Sequence, residues 1–157
     1  MDQKERIRII FLDIDGVVNS HRKTREVYEQ THKPHSNFNN PFDERCMQIL
    51  KEIVEETDSY LVITSTWRKY EEGRKKLTEA FHEYDLDYRI IGYTPVLNKQ
   101  RGEEIKAFLD SLTIPVEYVI IDDDSDMEEL IEHLVKTDIE IGLSEEQKET
   151  IIKKLTK

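Results

Sequence analysis

The chain has few of the residues and patterns that mark secreted or membrane proteins. It contains a single cysteine, Cys46, among 157 residues, so no internal disulfide can form, which fits a reducing compartment. No apolar run approaches the roughly 18 residues of a membrane-spanning helix. The first six residues, MDQKER, are charged and lack the apolar core of a signal peptide. We therefore expect a soluble, cytoplasmic protein with no membrane contact.

Positive charge is also scarce. The chain has 23 lysines and arginines against 34 acidic residues, which gives a net charge of −11. Such a balance provides no general attraction to nucleic acid or to anionic membranes. Hydrophobic residues make up 37% of the chain and charged residues 36%, as in a hydrophilic globular protein. The length predicts one domain over residues 1–157, large enough for a hydrophobic core.

Short apolar runs alternate with helical patterns along the chain. The runs 7–12, 60–63, 116–121 and 139–143 predict strands, and residues 88–91 predict a weaker fifth one. Apolar residues recur at helical spacing in four stretches between or after them, which begin at Cys46, Trp67, Ile105 and Met127. Asp43 is placed to cap the first helix, and Ser144 to Gln147 is typical of a capping box that opens a last one. Alternating strands and helices indicate an α/β fold with a mainly parallel sheet.

Residues 19–42, called the insert below, do not follow this pattern. They contain several asparagines, three histidines and two prolines, with little periodicity. They are also locally basic, with Arg22, Lys23, Arg25 and Lys33 against two glutamates. The insert is either a solvated surface loop or a flap that meets an anionic substrate. A zinc site at its histidines (His21, His32 and His35) is not favoured, because no fourth ligand lies at a suitable spacing.

The strongest local signal lies where the first predicted strand ends. The apolar run Ile9 to Leu12 leads into Asp13, Ile14, Asp15 and Gly16. Alternating side chains place the two carboxylates on one side of the strand end, where open α/β sheets bind ligands. Two carboxylates there repel each other unless a cation lies between them, and hard oxygen ligands suit Mg²⁺. Gly16 permits a sharp turn. An ordinary Asp/Gly turn after a strand is the alternative.

Two further segments carry groups that could bind an anion. The second strand is followed by Thr64, Ser65, Thr66 and Arg68, which place hydroxyls and a cation before a helix. Ordinary helix capping and an exposed arginine would explain the same residues. Lys99 and Arg101 precede the next helix, and either side chain could reach the ligand-binding edge of the sheet or remain solvated.

A second acidic cluster follows the strand at 116–121. It holds four aspartates within five residues, which is electrostatically costly without a cation or basic partner. Helix capping would explain one or two of them, but not all four. Those residues are Asp122, Asp123, Asp124 and Asp126.

The order of these motifs resembles that of the haloacid dehalogenase (HAD) superfamily of phosphotransfer enzymes. FLDIDGVV is similar to the first family motif and VIIDDDSD to the fourth, and the resemblance runs from about residue 7 to residue 126. TSTWR and RGEEI look like those of a capless subgroup, some of whose members occur alongside RNA-repair proteins. The resemblance implies a Rossmann-like, HAD-like three-layer sandwich without a large cap domain, in which only the insert could cover the site.

The same resemblance implies roles for the residues. Asp13 would be the nucleophile that forms an aspartyl-phosphate, and Asp15 the general acid and then the base. Ser65, or less favourably Thr64, would bind phosphoryl oxygens with help from Gly16, Thr66 and Arg68. Arg101 or Lys99 would supply the third-motif cation. Mg²⁺ would be held by Asp13, the Asp15 backbone carbonyl and Asp122, with support from Asp123 and Asp126.

The implied function is that of a Mg²⁺-dependent phosphatase acting on a phosphorylated small molecule or nucleic-acid end. Two other classes use similar residues. A receiver-like signalling domain also has an acidic pocket, Mg²⁺, a hydroxyl and a lysine, but its phosphate-accepting aspartate follows the third strand. A noncatalytic HAD-like scaffold that binds a partner is the third possibility, although every expected catalytic residue type is present in this chain.

Overall fold

The computed structural model describes residues 6–34 and 37–156. Five parallel strands form one sheet: β1 (Ile7–Leu12), β2 (Tyr60–Ile63), β3 (Ile90–Tyr93), β4 (Val116–Asp122) and β5 (Leu134–Lys136). The helices are α1 (His21–Thr31), α2 (Glu44–Thr57), α3 (Glu71–His82), α4 (Arg101–Asp110) and α5 (Glu145–Thr156). Short 3-10 turns connect several of these elements.

The strand order is β3-β2-β1-β4-β5. This is the Rossmann-like order, whereas receiver domains have the order 2-1-3-4-5. The topology therefore separates this chain from the receiver-like alternative. The order reverses between β1 and β4, and ligands of open α/β sheets bind at the carboxyl ends of the strands at such a point. The aspartates that follow β1 and β4 meet there.

The sheet is covered on both faces. On one face, Ile10, Leu12 and their neighbours in β2 and β4 pack against apolar residues of α2, α3 and α5. On the other face, Ile9 and Phe11 pack against α4 and the 3-10 turn Glu128–His133. This arrangement is the predicted α/β sandwich with a mainly parallel sheet, and no large cap is evident in it.

Two of the predicted strands are misplaced. Residues 139–143 form a turn closed by a bridge between Asp138 and Gly142, with Gly142 at a φ of +68°. The fifth strand is instead Leu134–Lys136, which begins where the predicted helix starting at Met127 was expected to continue. The segment predicted as that helix forms only the 3-10 turn Glu128–His133 before β5 begins. The third strand lies two residues later than predicted, because residues 87–89 form another 3-10 turn.

The predicted helix starting at Trp67 is also shorter than expected. Trp67 lies in the 3-10 turn Thr66–Lys69, and Tyr70 lies between that turn and α3. Only Leu77 and Phe81 of that apolar pattern belong to the buried face of α3. Trp67 and Tyr70 consequently lie at the carboxyl end of β2, near the aspartates.

The insert is not irregular throughout. Its first half is α1, which begins after Ser20, whose side chain accepts a hydrogen bond from the Lys23 backbone N–H. The helix buries no residue, which explains why apolar periodicity failed to predict it. His21 and His32 stand at its two ends, about 16 Å apart along an 11-residue helix, so they cannot share a zinc ion. His35 lies outside the described residues.

Three of the basic side chains in the insert are engaged within the chain. Arg22 pairs with Asp43 at 3.2 Å, Lys23 pairs with Glu44 at 2.8 Å, and Arg25 pairs with Glu140. These contacts attach α1 to the start of α2 and to the turn after β5. Within the described residues, no helix has both the length and the apolar character needed to cross a bilayer.

Candidate active site

Asp13 and Asp15 lie directly after β1, at the edge where the strand order reverses. Asp13 is buried, with 6% of its surface exposed, and Asp15 is partly exposed. Gly16 follows at a φ of +83°, where a Cβ would lie 2.5 Å from an oxygen of Asp123. Gly16 is thus required by the turn and by the close approach of Asp123. Its N–H donates a hydrogen bond to Asn19 Oδ1 at 2.9 Å.

Three carboxylates from two strands form a compact group. Asp13, Asp122 and Asp123 each offer an oxygen, and these oxygens lie within 4.8 Å of one another. We call this group the aspartate cluster. Burial raises the pKa of both Asp13 and Asp122 well above the usual range, and the charge of Asp13 raises that of Asp122 further. The cluster therefore needs positive charge if all its members are to be ionised.

Arg101 supplies part of that charge. Its Nη1 donates a hydrogen bond to Asp122 Oδ2 at 2.8 Å and forms an ion pair with Asp13 Oδ1, also at 2.8 Å. The side chain starts at the first residue of α4 and is largely buried. Lys99 is exposed in the loop before this helix. Of the two predicted cations, Arg101 is the one that contacts the cluster.

Asp126, which the resemblance assigns to metal support, also caps the helix that carries Arg101. Its Oδ2 accepts a hydrogen bond from the Arg101 backbone N–H at 3.3 Å, and its backbone carbonyl accepts one from Gly102. These bonds satisfy two N–H groups at the start of α4. Asp126 does not join the aspartate cluster. It fixes the position of Arg101.

Two donors that the sequence did not single out hold the carboxylate of Asp15. The indole Nε1 of Trp67 lies 3.3 and 3.2 Å from its two oxygens. Asn19 Nδ2 donates to Asp15 Oδ1 at 2.8 Å. Trp67 itself is 1% exposed and packs edge-on against Phe38 and Phe42. The orientation of Asp15 is therefore determined by the 3-10 turn after β2 and by the end of the β1 loop.

Arg68 is a structural residue, contrary to the predicted phosphate contact. Its side chain is 2% exposed. Its five N–H groups have five acceptors, which are the carbonyl oxygens of Thr64, Ser65, Thr94 and Pro95 and the carboxylate of Glu104. A guanidinium offers five donors, so none is left for a substrate. Arg68 connects the loops after β2 and β3 to α4.

The three hydroxyls after β2 have different surroundings. Thr64 Oγ1 is buried and has no hydrogen-bond partner among the described residues. Ser65 is also buried, and its Oγ accepts a hydrogen bond from the Trp67 N–H at 3.2 Å. Thr66 is exposed. An unpaired buried hydroxyl is costly unless a ligand satisfies it, so Thr64 has at least as strong a claim as Ser65 to contact a substrate oxygen.

The aspartate cluster has the chemistry of a hard-cation site. Its donors are carboxylate oxygens, which suit Mg²⁺, and no nitrogen or sulfur ligand belongs to the group. Burial is the main cause of the raised pKa values of Asp13 and Asp122, and an added positive charge would favour the ionised form of both carboxyls. The residues present therefore fit a divalent metal ion.

Comparisons with known proteins identify a family and a fold for this chain. The family model of the HAD domain in Swiss Army Knife RNA repair proteins matches residues 9–148. A haloacid dehalogenase-like family hydrolase from Streptococcus pneumoniae has a similar structure, with a TM-score of 0.50 and 11% sequence identity. That match covers 98% of this chain and 92% of the other, and at this identity it shows the fold alone. Comparison with curated proteins gave no match.

The matched residues contain all of β1 except its first two residues, both aspartates after it, the Thr64 to Arg68 segment, Arg101 and the acidic end of β4. The resemblance predicted from the sequence motifs is confirmed by a family model that spans most of the chain. This protein accordingly belongs to the family of HAD domains in Swiss Army Knife RNA repair proteins, and it has the fold of a HAD-like hydrolase.

Proposed function

We propose that this protein is a metal-dependent phosphomonoester hydrolase with Asp13 as its nucleophile. The observation that carries the proposal is the pair of 2.8 Å contacts from Arg101 Nη1 to Asp13 and Asp122. They bring a buried carboxylate, a cation and a second carboxylate together at the carboxyl edge of the sheet. A phosphoryl group needs these features, because negative charge spreads over its oxygens in the transition state.

The reaction has two steps at the same phosphorus atom. A carboxylate oxygen of Asp13 attacks phosphorus, the bond to the leaving oxygen breaks, and Asp15 gives its proton to that oxygen. The product of this step is an aspartyl-phosphate. Asp15, now ionised, takes a proton from water, which attacks the same phosphorus and releases inorganic phosphate and Asp13. Trp67 and Asn19 hold Asp15 in place for both proton transfers.

The remaining groups bind the phosphoryl oxygens and offset charge. Asp13, Asp122 and Asp123 would hold Mg²⁺, which screens the repulsion between the Asp13 carboxylate and the dianionic substrate. Arg101 lies beside the same oxygens and adds a second positive charge. The hydroxyls of Thr64 and Ser65 lie at the adjacent strand end, where they can donate to a phosphoryl oxygen.

The first test replaces the nucleophile. Asp13→Asn keeps the shape of the side chain but removes its charge, so hydrolysis of p-nitrophenyl phosphate should fall by about three or more powers of ten. Circular dichroism and urea unfolding check that the variant is folded. Activity near that of the wild type would refute the role of Asp13, and an inactive wild type would favour a noncatalytic scaffold.

The second test concerns the metal. EDTA should abolish turnover and Mg²⁺ should restore it, whereas Ca²⁺ should substitute poorly because its looser coordination misplaces the nucleophile. Asp122→Ala should raise the Mg²⁺ concentration needed for half-maximal activity. Asp124→Ala serves as the comparison, because Asp124 is exposed and lies outside the aspartate cluster. Equal metal dependence in Asp122→Ala and the wild type would place the metal elsewhere.

A further inference from the structure

Within the described residues, Asp15 lines at least two clefts, and either of them could receive a leaving group that Asp15 protonates. One cleft, of about 280 Å³, is lined by Asp15, Phe38, Asn40, Thr66, Trp67 and Tyr70. We call it the aromatic cleft. The other, of about 250 Å³, has Asp15 and Asn40 in common with it and is otherwise lined mainly by polar residues of the β1 loop and α1. The two clefts therefore offer different surroundings to the leaving group.

The aromatic cleft presents a set of rings in mutual contact. Phe38 packs against Trp67 with ring centroids 5.3 Å apart, and against Tyr70 at 5.7 Å. Tyr70 is 60% exposed, although its neighbour Phe38 packs against the buried ring of Trp67. Asn40 and Thr66 add polar groups to the lining. The exposed ring of Tyr70, next to these polar groups, suits a planar ring with hydrogen-bonding edges.

We propose that the aromatic cleft receives the base of a nucleoside, so that the preferred substrates are nucleoside phosphates. This inference rests on the proposed function, because it uses Asp15 as the proton donor that fixes where the leaving group lies. Stacking of one base on an aromatic side chain strengthens binding about 10-fold or more, as alanine substitutions show. A simple polyol phosphate has no ring and gains nothing from Tyr70.

The charges of the molecule favour a single nucleotide at this cleft over a long polynucleotide track. The net charge is −11, and Arg22, Lys23 and Arg25 of the insert pair with acidic residues of the same chain. A phosphate-backbone track needs several available cations in a row. The nucleoside can belong to a free mononucleotide or to a chain end, and the experiment compares both sources.

The kinetic test compares two exposed tyrosines. Tyr70→Ala should lower kcat/KM for nucleoside monophosphates about 10-fold and leave kcat/KM for glycerol phosphate within about twofold of the wild type. Tyr88→Ala is the control, because Tyr88 is 68% exposed but lies before β3, at the opposite end of the sheet from Asp15. Tyr88→Ala should leave kcat/KM unchanged for both substrates. Equal effects of the two variants, or equal losses on both substrates, would overturn the proposal.

The same assay shows whether the bound nucleoside belongs to a free mononucleotide or to the end of a chain. Mononucleotides and short oligonucleotides with a terminal phosphate should both lose efficiency in Tyr70→Ala if the cleft binds the terminal nucleoside from either source. A loss confined to one of them identifies the source and still supports the cleft. A wild-type preference for a phosphotyrosine peptide over every nucleotide would overturn the nucleoside assignment.

A binding experiment tests the cleft without turnover. Trp67 is the single tryptophan of the chain and lines the cleft, so its fluorescence reports on ligands there. In Asp13→Asn, a nucleoside monophosphate should change the emission in a saturable way, and glycerol phosphate should not. Adding Tyr70→Ala should weaken the nucleotide binding about 10-fold. If nucleotide leaves the Trp67 emission unchanged, the cleft does not bind a nucleoside. If the protein binds nucleotide but the wild type hydrolyses no phosphate ester, only the proposed catalysis is refuted.

Discussion

The carboxylate of Asp15 has donors from two separate parts of the sequence. Asn19 lies four residues away, and Trp67 lies beyond β2, yet both are within hydrogen-bonding distance of it. A general acid must be oriented as well as present, because proton transfer requires hydrogen-bonding geometry to the leaving oxygen. In the proposed reaction, Trp67 acts through Asp15 and is therefore a positioning residue.

This role makes a prediction about leaving groups. Trp67→Phe keeps an aromatic ring but removes the N–H that orients Asp15. For glycerol phosphate, whose alkoxide leaving group needs a proton, kcat/KM should therefore fall about 10-fold. For p-nitrophenyl phosphate, whose leaving group departs without one, it should change by less than about twofold. Phe42→Leu is the control, since Phe42 packs on Trp67 without contacting Asp15. Equal losses on both substrates would indicate a packing defect.

Arg68 and Arg101 show what could not be predicted from residue type. Both follow the pattern of a cation before a helix at the ligand-binding edge. Arg101 reaches the aspartate cluster, whereas Arg68 points into the protein and pairs with Glu104 at 2.9 Å. The difference depends on the direction in which each side chain points. For Arg68, acceptors in the loop after β3 and in α4, far from it in sequence, help to determine that direction.

The structural role of Arg68 can be measured. Arg68→Lys keeps the charge but offers only three donors to five acceptors, so buried carbonyl groups lose hydrogen bonds and the free energy of unfolding should fall by about 2 kcal/mol. KM for p-nitrophenyl phosphate should stay the same in the folded variant. Lys106→Ala, which removes an exposed pair with Glu129, should leave urea unfolding unchanged. Normal stability with a raised KM would restore Arg68 as a phosphate ligand.

Among the elements, those with buried apolar faces were predicted best. β1 and β2 have the predicted bounds and β4 is one residue longer, because strands buried on both faces are continuous apolar runs. The helix α2 has the predicted apolar face and the Asp43 cap. The strand predicted at 139–143 does not form, because Ile139 and Ile141 are exposed in a turn. The helix α1 was not predicted, because it buries no residue and its contacts are polar. Apolar periodicity carries no information about such elements.

Asp43 joins the insert to α2 and makes their stability depend on pH. It is fully buried, which raises its pKa, but hydrogen bonds from Arg45, Ser20 and Arg22 lower the pKa to about 2. A carboxyl with a lowered pKa stabilises the folded state above its unfolded pKa of about 4, and this contribution is lost as the pH falls toward 2.

Asp43→Asn should therefore lower the free energy of unfolding by about 2 kcal/mol at pH 7. The difference from the wild type should shrink by about half at pH 3, because the wild type then loses part of its own stabilisation. Urea unfolding at both pH values measures this. A difference that is the same at pH 7 and pH 3 would mean that Asp43 acts through its shape and not through its charge.

At the scale of the whole molecule, the candidate site depends on the order of the strands. β1 and β4 are neighbours in the sheet although more than 100 residues separate Asp13 from Asp122. The sequence allowed this convergence to be predicted, because the carboxyl ends of parallel strands share one edge. It did not predict Asn19, Phe38 or Tyr70, which reach the site from loops whose paths depend on tertiary packing.

The charge of the whole molecule leads to a prediction about ionic strength. The protein carries a net charge of −11, and three cations of the insert are paired internally. An anionic oligonucleotide is therefore repelled, and salt screens this repulsion. Raising NaCl from about 20 to about 200 mM should increase kcat/KM for an oligonucleotide with a terminal phosphate, and should affect a mononucleotide less.

The insert variant distinguishes repulsion from specific contacts with a polymer. Replacing Arg22, Lys23 and Arg25 with alanine should leave KM for p-nitrophenyl phosphate unchanged. It should preserve the rise of oligonucleotide kcat/KM with salt, because the paired side chains contribute no phosphate contact. A surface that binds phosphates behaves in the opposite way, since salt weakens its affinity steeply. If the wild type instead lost efficiency with salt and the variant did not, α1 would be a polynucleotide-binding helix whose ion pairs open when substrate binds.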